Sequence, residues 1–150
     1  MEYKNLFDMF LKTCEQYKNE AAFIYRIENA EYTITYEKLF DDVLKLSNAF
    51  FLKGVKKNDK VMFVSDNRYE WIVTDLALLS LGAISVPRGT DTPTSELSYI
   101  MIHSSCKFLI IENERIFIEH EEMLKTLELN KIFVIENSDN KTLFSYKDII

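Results

Sequence analysis

A chain of 150 residues is long enough for one ordinary domain and too short for two. Hydrophobic residues at 47% and charged residues at 28% exclude a disordered chain, and 3 Gly with 2 Pro exclude collagen-like and linker-rich architectures. The 24 acids outnumber the 18 bases, and the net charge of −6 argues against a nucleic-acid backbone as partner.

Tyr3, Leu6, Phe7, Phe10, Leu11, Cys14 and Tyr17 recur at steps of three and four, which predicts an amphipathic helix over residues 3–17. Ala22–Ile27 and Glu31–Ile34 are rich in strand formers and flank a short polar turn, so a β-hairpin is expected. The next helix carries Tyr36, Leu39, Phe40, Val43, Ser47 and Phe50 on one stripe, with Thr35 as its N-cap and Gly54 just past its end. Asp41 and Asp42 are expected on its solvated face.

Val61–Ser65 is a short apolar run of the kind covered on both faces of a sheet. Asn67 and Glu70 have capping-box spacing, and the helix they open reaches Leu81. That helix is apolar nearly all round, so other protein should cover most of its circumference. Gly82 ends it, and Ala83–Val86 reads as a second buried strand. The apolar stretch Trp71–Val86 is interrupted by Asp75 and is shorter than the roughly 20 residues that span a bilayer.

Pro87–Pro93 reads as a loop, with Thr92 capping a helix whose first residue is Pro93. Leu97, Ile100 and Met101 form the stripe of that helix. A strand over Phe108–Ile111, a helix over 113–129 and a strand over Ile132–Ile135 follow. Residues 112–128 hold six acids and two bases, a net of −4, expected as a solvated helix face. Residues 144–150 resemble the opening of another helix that ends after one turn, so the chain is expected to be a piece cut from a longer one.

Candidate chemistry is sparse. Cys14 and Cys106 lack metal-ligand spacing and are expected as buried, reduced thiols, and no signal peptide opens the chain. No Gly-rich phosphate loop is present. His103 lies beside Ser104 and Ser105, but neighbours on a helix point apart, and His120 among Glu119, Glu121 and Glu122 is expected on the surface. No catalytic, cofactor-binding or metal-binding residue is assigned. Arg88 and Asp91 are the weak substrate-binding candidates, because they follow a strand where α/β sheets place ligand contacts.

Three stretches carry a resemblance. Ile34-Thr35-Tyr36-Glu37-Lys38-Leu39 is similar to a T-Y-x-E-L segment. Asn67-Arg68-Tyr69-Glu70-Trp71 with Gly82-Ala83 and Val86-Pro87 resembles N-x-x-E-W…G-A. Glu96 to Ser104 before Lys107–Ile111 resembles E-L-x-Y-I-x-x-H-S and its following strand. Together they resemble the N-terminal part of the adenylate-forming acyl-CoA synthetase family. The loop Pro87–Thr92 looks like the version found in bacterial long-chain fatty acid–CoA ligases.

The resemblance implies an α/β fold: an N-terminal helix and β-hairpin, then strand–helix repeats forming a mainly parallel sheet covered by helices, within a larger adenylation domain. It implies a cytoplasmic ligase that joins a fatty acid to CoA through an acyl-adenylate, using ATP and Mg2+. Any membrane association would come through the longer protein. The family's phosphate loop, magnesium-binding glutamate and catalytic lysine lie downstream, so the 150-residue chain is expected to be inactive, to bind none of these ligands tightly and to self-associate. The alternative is a stand-alone flavodoxin-like or receiver-like binding module, against which stand the opening helix and hairpin.

Overall fold

Two apolar runs, Val61–Val64 and Phe108–Ile111, are buried at every position and therefore need cover on both faces. The computed structural model, which describes residues 2–28 and 30–146, supplies that cover from five helices. Helix α1 (Leu6–Gln16) precedes a hairpin of β1 (Ala21–Ile27) and β2 (Ala30–Thr35), followed by α2 (Tyr36–Leu52) and β3 (Lys60–Val64). Then come α3 (Tyr69–Ser80), β4 (Ile84–Arg88), α4 (Thr94–Ser104), β5 (Phe108–Ile111), α5 (Glu114–Leu124), β6 (Lys131–Val134) and β7 (Leu143–Ser145).

β1 and β2 pair antiparallel, with the Tyr25 and Tyr32 rings stacked at 5.4 Å. The other five strands form one sheet in the order β4-β3-β5-β6-β7, parallel at every pairing. Side chains alternate between its faces. Val61, Phe63, Phe108, Ile110 and Phe133 pack with α1, α2 and α3, whereas Met62, Val64, Leu109, Ile111 and Val134 pack with α4 and α5. Burial of each large side chain, such as Phe50 from α2 at 0% exposure, contributes about 1.5–3 kcal/mol.

Several local expectations hold. Thr35 Oγ1 accepts from Lys38 N at the start of α2. Every residue of α3 is buried or half-buried, Asp75 among the half-buried. Past its end, Gly82 N donates to Leu79 O and Ala83 N to Leu78 O, the paired bonds of a Schellman cap, with Gly82 at φ +67°.

Other expectations are corrected. The N-cap of α3 is Arg68 rather than Asn67, with no side-chain cap, because the Glu70 carboxylate is held by the Arg68 guanidinium (Nε–Oε2 2.9 Å). Pro93 is the N-cap of α4 rather than its first residue. The Thr92 hydroxyl donates to Gly89 O instead, closing the loop on itself. β4 is an edge strand that reaches Arg88, and Ile84 is 46% exposed. Its ladder alongside β3 begins with Ile84 N donating to Asp59 O and ends with Ser65 N donating to Arg88 O, so alternation turns Pro87, which lacks an N–H, to the open edge.

α5 stops at Leu124, where backbone bonds tighten to Thr126 N–Met123 O and Leu127 N–Leu124 O. Asp42 is buried rather than solvated, since Tyr69 Oη donates to its Oδ2 at 2.8 Å and Lys38 bonds its Oδ1. His120 is likewise buried, at 3% exposure, with Nδ1 2.8 Å from Thr94 Oγ1, which ties α5 to the start of α4. Phe144 and Ser145 belong to a strand and not to a helix opening. Pairing with β6 buries Leu143 and sets the Phe144 ring 5.9 Å from Phe133. Residues 147–150 of the expected helix lie outside the described residues.

Among the described residues no helix is long and apolar enough to cross a membrane.

Gly82→Val should lower stability by about 1 kcal/mol or more, because a β-branched side chain is strained at this φ and its Cβ would sit 3.1 Å from Lys57 Cγ. A urea midpoint equal to that of the parent chain would contradict this. Both cysteines are free and buried, and burial pushes the Cys14 thiol up to about 11. At pH 8 each should stay protonated and resist iodoacetamide in the native chain. Mass spectrometry should find two alkylations only after unfolding in urea.

Candidate functional site

In an open parallel sheet, helices leave to opposite faces where the strand order reverses, and a crevice opens at the carboxyl ends of the strands. Here β3 lies between β4 and β5, and the helix after β3 packs on one face while the helix after β5 packs on the other. Ser65 and Asp66 follow β3, and Glu112 follows β5. The crevice between them is closed from within: Ser65 Oγ and Asp66 N both donate to Glu112 Oε2, at 3.1 and 2.9 Å.

Charge accumulates around this contact. The Arg68 guanidinium donates to Glu70 through Nε at 2.9 Å and to Glu136, just past β6, through Nη1 at 2.9 Å. Glu112 Oε1 lies 3.8 Å from the same Nη1. Asp66 Oδ1 accepts from the hydroxyl of Thr90, beyond β4, at 2.7 Å. The bond to Glu70 is the largest of the influences that raise the pKa of Arg68, and the guanidinium is charged at any working pH. Beside this edge, a cleft of about 620 Å³ lies between the hairpin residues Phe23, Ile24 and Tyr25 and the segment Asp66–Glu70.

The two sequence candidates sit at the margin. Half-buried Arg88 spends Nη1 on the carbonyl of Pro87 at 2.6 Å, and Asp91 is exposed. No hydrogen bond or ion pair joins them. A smaller cleft of about 280 Å³ does bring Arg88 alongside Ser65, Asp66 and Trp71. His103 is exposed and stacks on Tyr99 at 5.7 Å, while Ser104 Oγ bonds Ile100 O, so no base meets a nucleophile there.

Sequence reasoning missed the cluster of Asp66, Arg68, Glu112 and Glu136. Its one available signal was position: three of its four members fall within two residues of the end of a predicted strand or run. The set does not fit a triphosphate. Four carboxylates, Asp66, Glu70, Glu112 and Glu136, outnumber one guanidinium, and the hydroxyl and N–H donors after β3 already serve Glu112. Nor does any group of three or more His, Cys, Asp or Glu among the described residues suit a metal ion.

The family profile of AMP-binding enzymes matches residues 10–147. The chain belongs to the AMP-binding enzyme family. It is 27% identical over 116 residues to a long-chain-fatty-acid–[acyl-carrier-protein] ligase of Arabidopsis thaliana, covering 77% of the chain and 16% of that protein. With 4-hydroxybutyrate–CoA ligase 2 of Metallosphaera sedula the identity is 27% over 135 residues, covering 88% and 23%. Coronafacic acid ligase from Pectobacterium brasiliense superposes on 97% of the chain and 29% of its own, with a TM-score of 0.84 and 25% identity. The chain thus spans less than a third of each of these three proteins.

The segment Asn67–Trp71, which carried part of the resemblance, acquires a physical content here. Glu70 anchors Arg68, Tyr69 donates to the buried Asp42, and the Trp71 ring stacks at 5.8 Å on Phe63 of β3. The segment joins α3 to α2, to the sheet and to the carboxyl edge at once.

Tyr69→Phe keeps the ring that packs edge-on to Phe23 and leaves one oxygen of buried Asp42 without its donor. A loss of about 1–3 kcal/mol is expected in chemical denaturation. An unchanged midpoint would mean that water replaces the phenol.

Proposed function

We propose that the chain is the N-terminal part of the adenylation domain of an ATP-dependent acid–thiol ligase acting on long-chain fatty acids. The observation that carries this reading is the family match over residues 10–147, supported by the superposition on a ligase across 97% of the chain. In the reaction, a carboxylate oxygen attacks the α-phosphorus of ATP and pyrophosphate leaves. A thiol of CoA then attacks the acyl carbon, the thioester forms, and AMP leaves. The mixed anhydride makes the second step feasible because AMP is a good leaving group.

Within this reading the 150 residues supply scaffold. They build five parallel strands and their covering helices, and their carboxyl edge presents carboxylates where a triphosphate would need donors. Magnesium, nucleotide and CoA contacts belong to later parts of the ligase, and the chain alone turns nothing over. Ile84 on the open edge of β4 and Tyr99 and Ile102 on α4 leave apolar surface uncovered, so the isolated chain self-associates. The long-chain assignment leans on the wording of the Pro87–Thr92 loop and on the similarity to a long-chain-fatty-acid ligase.

The test is ATP–pyrophosphate exchange with acids of increasing length, run on the 150-residue chain and on the ligase that contains it. Exchange by the longer protein with palmitate above short or hydroxylated acids, and none by the chain, is expected. Exchange by the 150-residue chain would place the active site inside it and overturn the scaffold role. A preference for short acids would overturn the long-chain assignment alone.

A further inference from the structure

Four neighbouring strand ends are held by one continuous set of polar contacts, and Arg68 is the only cation in it. The guanidinium reaches Glu136 beyond β6 and Glu70 on α3, each at 2.9 Å, and lies 3.8 Å from Glu112 beyond β5. Glu112 Oε2 in turn accepts from Ser65 Oγ and Asp66 N beyond β3. Asp66 Oδ1 then accepts from the Thr90 hydroxyl at 2.7 Å and from its N–H at 3.4 Å, beyond β4. Past the last ladder bond, Ser65 N to Arg88 O, these contacts to Thr90 are the tie that joins loop 89–92 to the segment after β3 among the described residues.

We propose that Arg68 is a positioning residue: by bridging Glu112, Glu136 and Glu70 it holds Asp66, and through Asp66 it sets the position of loop 89–92 over the carboxyl edge. The side chains of Arg68 and Glu112 are 29% and 15% exposed, so the pair is screened less than a surface contact. Without the guanidinium, three carboxylates face one another with no cation among them. Glu112 then turns toward water, Asp66 N–H loses its acceptor, and the Ser65 hydroxyl keeps only the Asp66 carbonyl. Thr90 is left bonded to a loop that no longer has a fixed place.

The catalytic consequence rests on the ligase reading. In that reading the carboxyl edge faces the substrates, and Arg68 touches none of their reacting atoms. A loosened loop lowers the fraction of chains ready to bind the acid, which raises KM and leaves kcat nearly unchanged.

The experiment compares Arg68→Gln, Arg68→Lys and Thr90→Val. Amide hydrogen exchange is read on the chain, and ATP–pyrophosphate exchange with palmitate is read on the longer ligase. In Arg68→Gln, exchange at Asp66 and Thr90 should quicken about tenfold while the amides of β3 and β5 hold their protection. KM for the acid should rise about threefold or more with kcat within about twofold. Arg68→Lys keeps the charge without the fork and should recover part of both effects. Thr90→Val removes the shorter of the two contacts in the last link and keeps the longer N–H one, so KM should rise with Asp66 still protected.

Unchanged exchange at Thr90 in Arg68→Gln would overturn the proposal, as would equal loosening of β3 and β5, which means general destabilisation. Quickened exchange with an unmoved KM would reduce Arg68 to a structural ion pair. Absence of pyrophosphate exchange in the unmutated longer protein would overturn the ligase reading, and hydrogen exchange would still decide whether Arg68 holds loop 89–92.

Discussion

The alternating burial of β3 is the constraint on which the rest of the molecule depends. Val61 and Phe63 face one way and Met62 and Val64 the other, all at 0–1% exposure, so neither face can be left to water. Cover on one side comes from α1, α2 and α3, and on the other from α4 and α5. Because β4 occupies one flank of β3 and β5 the other, the helices that follow β3 and β5 must depart to opposite faces. The crevice at the carboxyl edge is a geometric result of that departure. A flavodoxin-like module has the same strand order, so topology alone does not separate the two readings. The family match over residues 10–147, including most of α1 and the whole hairpin, does.

What fills the crevice is chemistry of this chain. A strand-end loop commonly offers its N–H and hydroxyl groups to an anionic ligand. Here the Glu112 carboxylate takes both, and Arg68 balances it. The edge is tied into one unit at the cost of its own capacity for phosphate. Such an arrangement gives the carboxyl edge a rigid border.

How much was legible depended on whether an element's cause was local. The hairpin, the Thr35 cap, the Gly82 end and the buried run Val61–Val64 follow from turn chemistry, capping and hydrophobic pattern within a few residues. The missed features involve partners far away in sequence. Asp42 looked like half of a solvated acidic pair, and the Tyr69 hydroxyl, 27 residues on, turned it into a buried acceptor. His120 sat among glutamates, yet Thr94, 26 residues earlier, holds its ring between α4 and α5. The exception is the capping box of Asn67 and Glu70, which lost its carboxylate to Arg68, only two residues away.

The sequence by itself determined the parent family, the order of strands and helices up to β6, and the two-sided burial of the sheet. These are written in contiguous motifs and in periodicity, which depend on neighbours a few residues apart. Tertiary structure decided the rest. It made β4 an edge strand, drew Phe144 and Ser145 into β7 beside β6, and assembled Asp66, Arg68, Glu112 and Glu136 from three separate strand ends. Each of those outcomes is a pairing between segments distant along the chain. Local pattern gives such residues a conformation, and only the folded sheet gives them a partner.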